Sequence, residues 1–167
     1  MTGSSNFTAR IRHELRPGDL GRVTEMHGVL YEHEYGFNIV FEGYVAEGIG
    51  RFGHGHDPAR ERLWVAERSG KLVGSAAIVA GEGGLAQFRW FLAAPDSRGQ
   101  GLGSELISAS LDFAQAAGYA GVYLWTVHVL PDAARLYLTA GFELTETLEW
   151  ARLWGRDLKE QRYDLRF

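Results

Sequence analysis

The sequence predicts an α/β fold in which helices flank one mixed, mainly antiparallel sheet. Three observations lead to this prediction. Apolar runs of strand length and stretches of helical spacing follow one another in the order β-α-α-β-β-β-α-β-α-β-β. A turn at Ser69 and Gly70 joins two of the strands as a hairpin, which requires antiparallel pairing. A glycine-rich turn from Arg98 to Gly103 lies between an apolar strand and an amphipathic helix.

Each element is predicted from its side-chain spacing and its flanking residues. Helices are predicted where apolar side chains recur every three or four positions, and strands where short apolar runs end at turn-forming residues. Asp19 is a candidate N-cap of the first helix, and Gly141 is a candidate C′ residue of the last helix. In chain order the predicted elements are strand 9–15, helix 20–34, helix 37–52, strand 63–67, strand 72–79, strand 85–94, helix 102–117, strand 122–127, helix 131–140, strand 142–150 and strand 161–167, the last two separated by a turn at 154–157.

Length and composition indicate one globular domain over residues 9–167, preceded by a flexible N-terminus over residues 1–8. The net charge of -4 offers no basic field for a nucleic-acid partner. No apolar run approaches the roughly 20 residues needed to cross a membrane. Residues 1–6 lack the features of a signal peptide, so we expect a cytoplasmic protein. The chain has no Cys, which excludes disulfides, a thiol nucleophile and thiolate metal ligands.

The glycine-rich turn is the strongest chemical signal in the sequence. A strand, a glycine turn and a helix together form an anion site, because backbone N–H groups and the positive end of the helix dipole point outward. A phosphate loop of the Walker type is excluded because Ser104, and not Lys, follows Gly103. A dinucleotide fingerprint starting at Gly101 is excluded because Leu106 stands where its third glycine belongs.

The turn fits another pattern, R/Q-x-x-G-x-G/A, as Arg98-x-x-Gly101-x-Gly103. A second motif follows downstream, where a helix ending near Tyr137 is followed by Gly141-Phe142 at the start of a strand. With these two motifs the chain resembles the GCN5-related N-acetyltransferases (GNAT), and the resemblance covers roughly residue 9 to the C-terminus. The segments His27-Gly28-Val29-Leu30-Tyr31, Glu34-Tyr35-Gly36 and Gly155-Arg156-Asp157-Leu158 look most like the acetyltransferase half of bacterial MarR–GNAT fusion proteins.

This resemblance implies a GNAT-like fold and acetyl-CoA as co-substrate, with no metal. The strands 85–93 and 122–127 should separate, leaving an opening for the thioester, whose carbonyl would be polarised by a strand N–H. The strand 85–93 would pair through its backbone with the pantetheine arm of coenzyme A, and the glycine-rich turn would bind the pyrophosphate. The implied cofactor-binding residues are Phe91, Leu92 and Ala93 on the strand, and Arg98, Gly99, Gln100, Gly101, Leu102, Gly103 and Ser104 in the turn.

Tyr137 is where the family places its general acid, which protonates the leaving thiolate. Many members carry an Asn seven residues earlier that contacts the cofactor, and Leu130 stands there instead. The general base on the amine side is predicted less specifically, with Glu34 and Glu32 at the end of the first helix as candidates. The residues expected to line the acceptor cleft are Tyr31, Tyr35, Trp125 and His128.

The implied function is direct transfer of an acetyl group from acetyl-CoA to a primary amine of a small molecule, such as an amino acid. Two alternatives stay open: a protein or peptide N-acetyltransferase, and an acyl-CoA-binding sensor without catalysis. Tyr137 and His27 could instead be core residues on apolar helix faces. The cluster His54, His56 and Asp57 fits an exposed loop better than a metal site. A homodimer is possible.

Overall fold

A seven-stranded mixed sheet forms the centre of the computed structural model, which describes residues 8–167. The elements are β1 Arg10–Arg12, α1 Asp19–Tyr35, α2 Ile39–Gly55, β2 Arg62–Arg68, β3 Lys71–Ala80, β4 Ala86–Ala93, α3 Leu102–Ala116, β5 Gly121–Val127, α4 Pro131–Thr139, β6 Glu143–Thr147, β7 Ala151–Leu153, β8 Arg156–Leu158 and β9 Glu160–Arg166. The sheet order is β1-β2-β3-β4-β5-β9-β6, and among these described strands only β4 and β5 pair in parallel. The predicted α/β fold with a mainly antiparallel sheet is confirmed.

Helices cover both faces of the sheet. On one face α3 buries Leu102 and Leu106, which are four residues apart and therefore lie on the same side of the helix. On the other face α1 contributes Val23, and α2 contributes Phe41 and Val45, again four residues apart. Each fully buried side chain of this kind contributes roughly 1.5–3 kcal/mol to the stability of the fold. The helical spacing in the sequence is thus the spacing of the side chains that pack on the sheet.

The prediction that Asp19 caps α1 is wrong. Gly18 holds the N-cap position with a φ of 96°, and Asp19 lies in the first helical turn with a fully buried carboxylate. Both terminal nitrogens of Arg12 donate to this carboxylate, at 2.8 and 2.9 Å, and the backbone N–H of Arg16 donates at 2.7 Å. The Arg12 guanidinium lowers the pKa of Asp19 to about 2. Asp19 is therefore the residue that joins α1 to β1.

The C-terminal region contains one hairpin more than the sequence predicts. The strand predicted over 142–150 ends at Thr147, and β7 and β8 form a separate two-stranded hairpin. Its turn consists of Trp154 with a φ of 52° and Gly155 with a φ of 82°, two consecutive residues in the left-handed region, as in tight hairpin turns. The carbonyl of Trp154 accepts a hydrogen bond from the backbone N–H of Asn38 at 3.0 Å, which attaches the hairpin to the start of α2.

The N-terminal strand is shorter than predicted, three residues in place of seven. Of the segment predicted to be flexible, residues 1–7 lie outside the described residues, and Thr8 is exposed. The assignment of residues 9–167 to one domain stays a prediction. Within residues 8–167, no helix combines the length and the apolar character that a membrane span requires.

Candidate functional site

The glycine-rich turn presents a row of free backbone amides. Between β4 and α3 the chain passes through Gly99 and Gly101, which have positive φ angles of 72° and 86°. Beyond them, the first backbone amide with a partner is that of Glu105, which donates to the carbonyl of Gly101 at 3.0 Å. Among the described residues, none accepts a hydrogen bond from the backbone N–H groups of 99–104. These amides and the positive end of the α3 dipole are therefore available to an anion.

Gly103 brings the start of α3 close to β4 and α4. A Cβ atom at Gly103 would lie 3.0 Å from Cδ1 of Leu136 and 3.3 Å from Cζ of Phe91, so even an alanine would press against both side chains. The Phe91 ring in turn packs against the Tyr137 ring, with 5.8 Å between centroids. Phe91 thus connects the glycine-rich turn directly to Tyr137.

β4 and β5 separate after two pairs of residues. Ala86 pairs with Val122 and Gln87 with Tyr123, and both strands continue beyond these pairs without further pairing to each other. The separation that the resemblance implies is therefore present. It leaves an edge of β4 without a partner strand, next to the glycine-rich turn, and an extended ligand can pair with such an edge through its own amides.

A bulge in β4 lies within the separated stretch. Trp90 has a φ of 48°, and the register between β3 and β4 shifts at this point. Ser75 stabilises the bulge by donating its hydroxyl to the carbonyl of Trp90 at 2.7 Å. As a result the consecutive residues Arg89 and Trp90 both face α2, where a Cβ atom at Gly48 would lie 3.1 Å from each side chain. Bulges commonly redirect side chains in this way.

A cleft lies at the opening between β4 and β5. Side chains from α1, α2, β4, β5, α4, β9 and the β7–β8 turn line it. Aromatic residues predominate in the lining, among them Tyr31, Phe41, Tyr44, Trp125 and Trp154. The cleft is therefore suited to a compact ligand with an apolar part.

Tyr137 reaches the cleft from α4. Its ring packs among Phe88, Phe91, Phe142 and Tyr163, with centroid distances between 5.7 and 6.3 Å. The structure gives its hydroxyl no hydrogen-bond partner among the described residues, and Tyr137 lines the cleft although it is only 6% exposed. Burial raises the pKa of Tyr137 well above its usual value, so the phenol keeps its proton at neutral pH. A protonated, unpaired hydroxyl at a cleft is positioned to act as a proton donor.

Glu34 and Arg98 form an ion pair between α1 and the glycine-rich turn. The two guanidinium nitrogens donate to the two carboxylate oxygens at 2.7 and 2.8 Å, and Nε of Arg98 donates to the carbonyl of Ala93 at 2.9 Å. The Arg98 hydrogen bonds lower the pKa of Glu34. Both oxygens of Glu34 are therefore engaged, and the carboxylate is a weaker base than a free one.

The sequence matches a family model described as an acetyltransferase (GNAT) domain, over residues 59–144. The chain belongs to the GNAT acetyltransferase family. An uncharacterized N-acetyltransferase of Schizosaccharomyces pombe is 28% identical over 120 residues, which cover 70% of this chain and 72% of that protein. N-acetyltransferase 8 of Rattus norvegicus is 34% identical over 89 residues, which are 50% of this chain and 40% of the rat protein. The structure of yncA from Salmonella typhimurium with its cofactor acetyl-CoA superposes with a TM-score of 0.71 at 18% identity, over 95% of this chain and 94% of that one.

The family assignment confirms the predicted fold class and the predicted enzyme class, an N-acetyltransferase. Four of the predicted site residues line the GNAT cleft together: Tyr137, Phe91, Tyr31 and Trp125. Leu130, the departure from the family pattern, lines it as well and is buried. An apolar side chain therefore stands where many members of the family present an amide.

Other predicted site residues of this GNAT domain lie outside the cleft lining. Tyr35 packs behind Tyr31, with 5.5 Å between ring centroids. Glu32 is exposed at the end of α1. His128 is exposed beyond the end of β5, where its Nδ1 accepts a hydrogen bond from the backbone N–H of Lys159 at 3.1 Å. Their predicted roles stay predictions, and the contacts do not bring them to the cleft.

His27 lies on the α1 wall of the cleft and is neutral. Its Nδ1–H donates to the carbonyl of Val23 at 2.8 Å, and its ring stacks on Tyr31 at 5.9 Å. Burial lowers the pKa of His27 to about 4. Its Nε2 is buried and finds no hydrogen-bond partner in the part of the chain that the structure describes. Only one of the two ring nitrogens therefore fits the interpretation of His27 as a core histidine with its hydrogen bonds satisfied.

His54, which the sequence places in an exposed loop, lies instead in the last turn of α2. His56 bonds through Nδ1 to the carbonyl of Phe52 at 3.1 Å, and the Asp57 side chain accepts from the backbone N–H of Ala59 at 3.0 Å. Within the part of the chain that the structure describes, no three His, Asp or Glu side chains are grouped to hold a metal ion.

Most residues of the cleft lining are absent from the sequence-based prediction of the site, and four of them bear on its chemistry. Tyr44 comes from α2 and Trp154 from the unpredicted hairpin, while Arg89 and Glu160 supply the charged side chains of the lining. The aromatic spacing of α2 was the one available signal, since Phe41 and Tyr44 are three residues apart and share a helix face. Nothing in the sequence indicates that the β7–β8 turn folds back to the cleft.

Proposed function

We propose that this protein transfers an acetyl group from acetyl-CoA directly to a primary amine of a small molecule. The observation that carries the proposal is the contiguity of the glycine-rich turn, Phe91 and Tyr137. Free amides for a pyrophosphate and an unpaired phenol for the leaving sulfur lie on either side of one phenylalanine ring. The residues present thus fit coenzyme A on both the phosphate side and the thiol side.

The chemistry follows from this arrangement. The pantetheine arm pairs with the open edge of β4 near Phe91, Leu92 and Ala93, and a β4 amide polarises the thioester carbonyl. The amine nitrogen forms a C–N bond with the carbonyl carbon, and the C–S bond breaks as the tetrahedral intermediate collapses. The thiolate takes its proton from Tyr137, which is reprotonated from solvent, and the amine loses one proton to solvent or to a base.

Glu34 and Glu32 remain candidates for that base, but the contacts favour another role for Glu34. Because its two oxygens bind Arg98, we propose that Glu34 positions the rim of the pyrophosphate site. An α-amino group, with a pKa near 8, loses its proton at neutral pH at a cost of only about 1 kcal/mol. Water can therefore serve as the proton acceptor for such a substrate.

The shape of the cleft favours a small acceptor over a polypeptide. The β7–β8 hairpin brings Trp154 against Phe41 and Tyr44, with ring centroids 4.9 and 5.8 Å apart. This aromatic cluster joins α2 to the hairpin and narrows one side of the opening between β4 and β5. A protein N-acetyltransferase needs room for a chain on both sides of the acetylated amine, so it is the second candidate.

A panel assay tests the proposal. The purified chain is incubated with acetyl-CoA and amino acids, polyamines and N-terminal peptides, while free thiol is measured and acetylated products are identified by mass spectrometry. We expect thiol release that depends on an amine of low mass and yields one acetylated product. Acetylation of peptides alone would support the second candidate, and tight acetyl-CoA binding without thiol release would identify a sensor.

The remaining predictions rest on the sequence. Kinship with the MarR–GNAT fusions is proposed from the segments 27–31, 34–36 and 155–158, and no nucleic-acid partner is expected from the charge. A cytoplasmic location and a homodimer stay predictions.

A further inference from the structure

Arg89 is a guanidinium in the acceptor cleft without a carboxylate partner. It lies on β4, just beyond the point where β4 and β5 separate. Among the described residues its only hydrogen bond goes to the hydroxyl of Tyr44, at 3.3 Å, and no carboxylate lies within 4.0 Å. The two acidic side chains of the neighbouring groove are engaged elsewhere: Glu47 pairs with Arg51, and Glu61 accepts from backbone amides at 3.0 Å. Most of the donors of Arg89 are therefore unused.

The guanidinium is held in a fixed place despite this lack of partners. It lies over the Trp90 ring at 5.0 Å and over the Tyr44 ring at 5.6 Å. Gly48 of α2 makes room for it, because a Cβ atom there would approach Nη2 to 3.1 Å and Nη1 to 3.3 Å. Aromatic faces and a glycine thus form a cradle that orients the donors without consuming them.

Trp90, whose ring lies 5.0 Å from the Arg89 guanidinium, carries a second unused donor. Nε1 of Trp90 is buried and has no hydrogen-bond partner within residues 8–167, and the residue, which is 7% exposed, lines the same cleft. A buried N–H without an acceptor is destabilising by about 1–3 kcal/mol, so such groups are rare unless a ligand satisfies them. The bulge at Trp90 is what places the two donors on one face, since consecutive strand residues otherwise point to opposite faces.

The same cleft also contains a carboxylate of opposite charge. Glu160 lines it from the start of β9 and forms no ion pair within 4.0 Å among the described residues. A cleft with one free guanidinium and one free carboxylate, kept apart from each other, is complementary to a ligand that carries both charges.

We propose that Arg89, together with Nε1 of Trp90, binds the carboxylate of the acceptor, so that the substrates are amino acids with apolar side chains. This proposal rests on the proposed acetyltransferase function and names its substrate class. The carboxylate accepts the donors of Arg89, the ammonium lies toward Glu160 before it loses its proton, and the aromatic lining contacts the side chain.

The test compares acceptors that differ only in the carboxylate. The specificity constant kcat/KM is measured for L-phenylalanine, L-phenylalaninamide and phenethylamine. A charged hydrogen-bonded contact discriminates by about 10- to 100-fold. For wild type we therefore expect a higher kcat/KM for L-phenylalanine than for the other two acceptors, after each value is corrected for the fraction of free amine. In Arg89→Gln the ratio of kcat/KM for the acid to kcat/KM for the amide should fall toward one. Because the same acceptors are used with both proteins, the difference in their amine pKa values cancels in this comparison.

Two further variants make the test specific. Gly48→Ala keeps Arg89 but fills its cradle, and alanine is favoured within a helix, so the protein should fold while the ratio falls severalfold. Arg10→Gln removes the same charge from an exposed position of β1, outside the cleft lining, and should keep the wild-type ratio. An unchanged ratio in Arg89→Gln, or no preference for the acid in wild type, would overturn the proposal while leaving the acetyltransferase function in place.

A binding measurement decides the question independently of turnover. With coenzyme A present, calorimetry compares N-acetyl-L-phenylalanine with N-acetylphenethylamine. Tighter binding of the acid by tenfold or more, lost in Arg89→Gln, supports the carboxylate site even if no amine in the panel is acetylated. Equal binding of the two products contradicts it.

Discussion

Removal of one oxygen atom, in Tyr137→Phe, should abolish most of the catalysis and leave the fold intact. In water a phenol is about 1.5 pKa units weaker as an acid than a thiol, which makes proton transfer to the thiolate about 2 kcal/mol uphill. Burial raises the pKa of Tyr137 further, so the phenol is a weak donor. A positioned general acid contributes about 10²- to 10⁴-fold, and we expect the lower end, a roughly 100-fold loss of kcat. KM should change little, because the proton moves only in the transition state.

The structure also predicts a small effect of this variant on stability. The four aromatic contacts of the Tyr137 ring do not involve its hydroxyl, which has no partner to lose. The free energy of unfolding should therefore change by less than about 1 kcal/mol, or a few degrees in Tm. Tyr163→Phe is a matched control, since this neighbouring tyrosine packs on Tyr137 at 5.7 Å and is absent from the cleft lining.

Steady-state kinetics of both variants, with thiol release as the signal, decide the matter. A kcat of Tyr137→Phe within threefold of wild type would refute the general-acid assignment. Equal losses in the two variants would point to a general effect of disturbed packing in place of proton transfer. A rise of KM at constant kcat would place the hydroxyl in ground-state binding.

Three other predictions concern charged and titratable groups. Glu34→Gln should lower kcat by less than about tenfold, because the oxygens of Glu34 bind Arg98, whereas loss of a general base would cost 100-fold or more in the same assay. His27→Gln should make the free energy of unfolding, measured with urea, depend less on pH in the acid range. The pKa of His27 is about 4 in the folded state and about 6.5 in the unfolded state, so wild type loses up to about 3 kcal/mol of stability as the pH falls through this window. Asp19→Asn leaves the buried Arg12 with Glu67 as its only carboxylate partner and should cost about 3 kcal/mol in urea unfolding at neutral pH; an unchanged midpoint would contradict this.

The fold was accessible from the sequence where side-chain spacing and glycine placement agree. The helix α3 begins at Leu102 as predicted, because Gly101 can adopt a φ of 86° and Leu102 starts a repeat of buried positions. Gly141, with a φ of 98°, likewise follows α4 as predicted. Asp19 was assigned wrongly because its residue type favours an N-cap, while a partner seven residues earlier in the chain, Arg12, binds its carboxylate instead.

The candidate site was predictable only in its local parts. The turn and Tyr137 are short contiguous motifs, so their residues could be read directly. Trp154 and Arg89 reach the cleft through features without a local signature, a hairpin that folds back and a bulge at a tryptophan with positive φ. A bulge depends on how the strand pairs with its neighbour, here through the hydrogen bond from Ser75 to the Trp90 carbonyl. The sequence of either strand alone does not determine this pairing.

The glycine-rich turn and the acceptor cleft both adjoin β4, so a movement of one can be transmitted to the other. At its end, the carbonyl of Ala93 holds Arg98, which in turn holds Glu34 on α1, the helix that forms one wall of the acceptor cleft. A displacement of the glycine-rich turn therefore acts on α1 through an ion pair and on α4 through the packing of Phe91 against Tyr137. Since the ion pair is partly exposed, it contributes at most about 1 kcal/mol, and occupancy of one region can change affinity at the other through it by no more than about fivefold. Larger coupling between the two substrates would have to come from direct contact between them at the opening of the sheet.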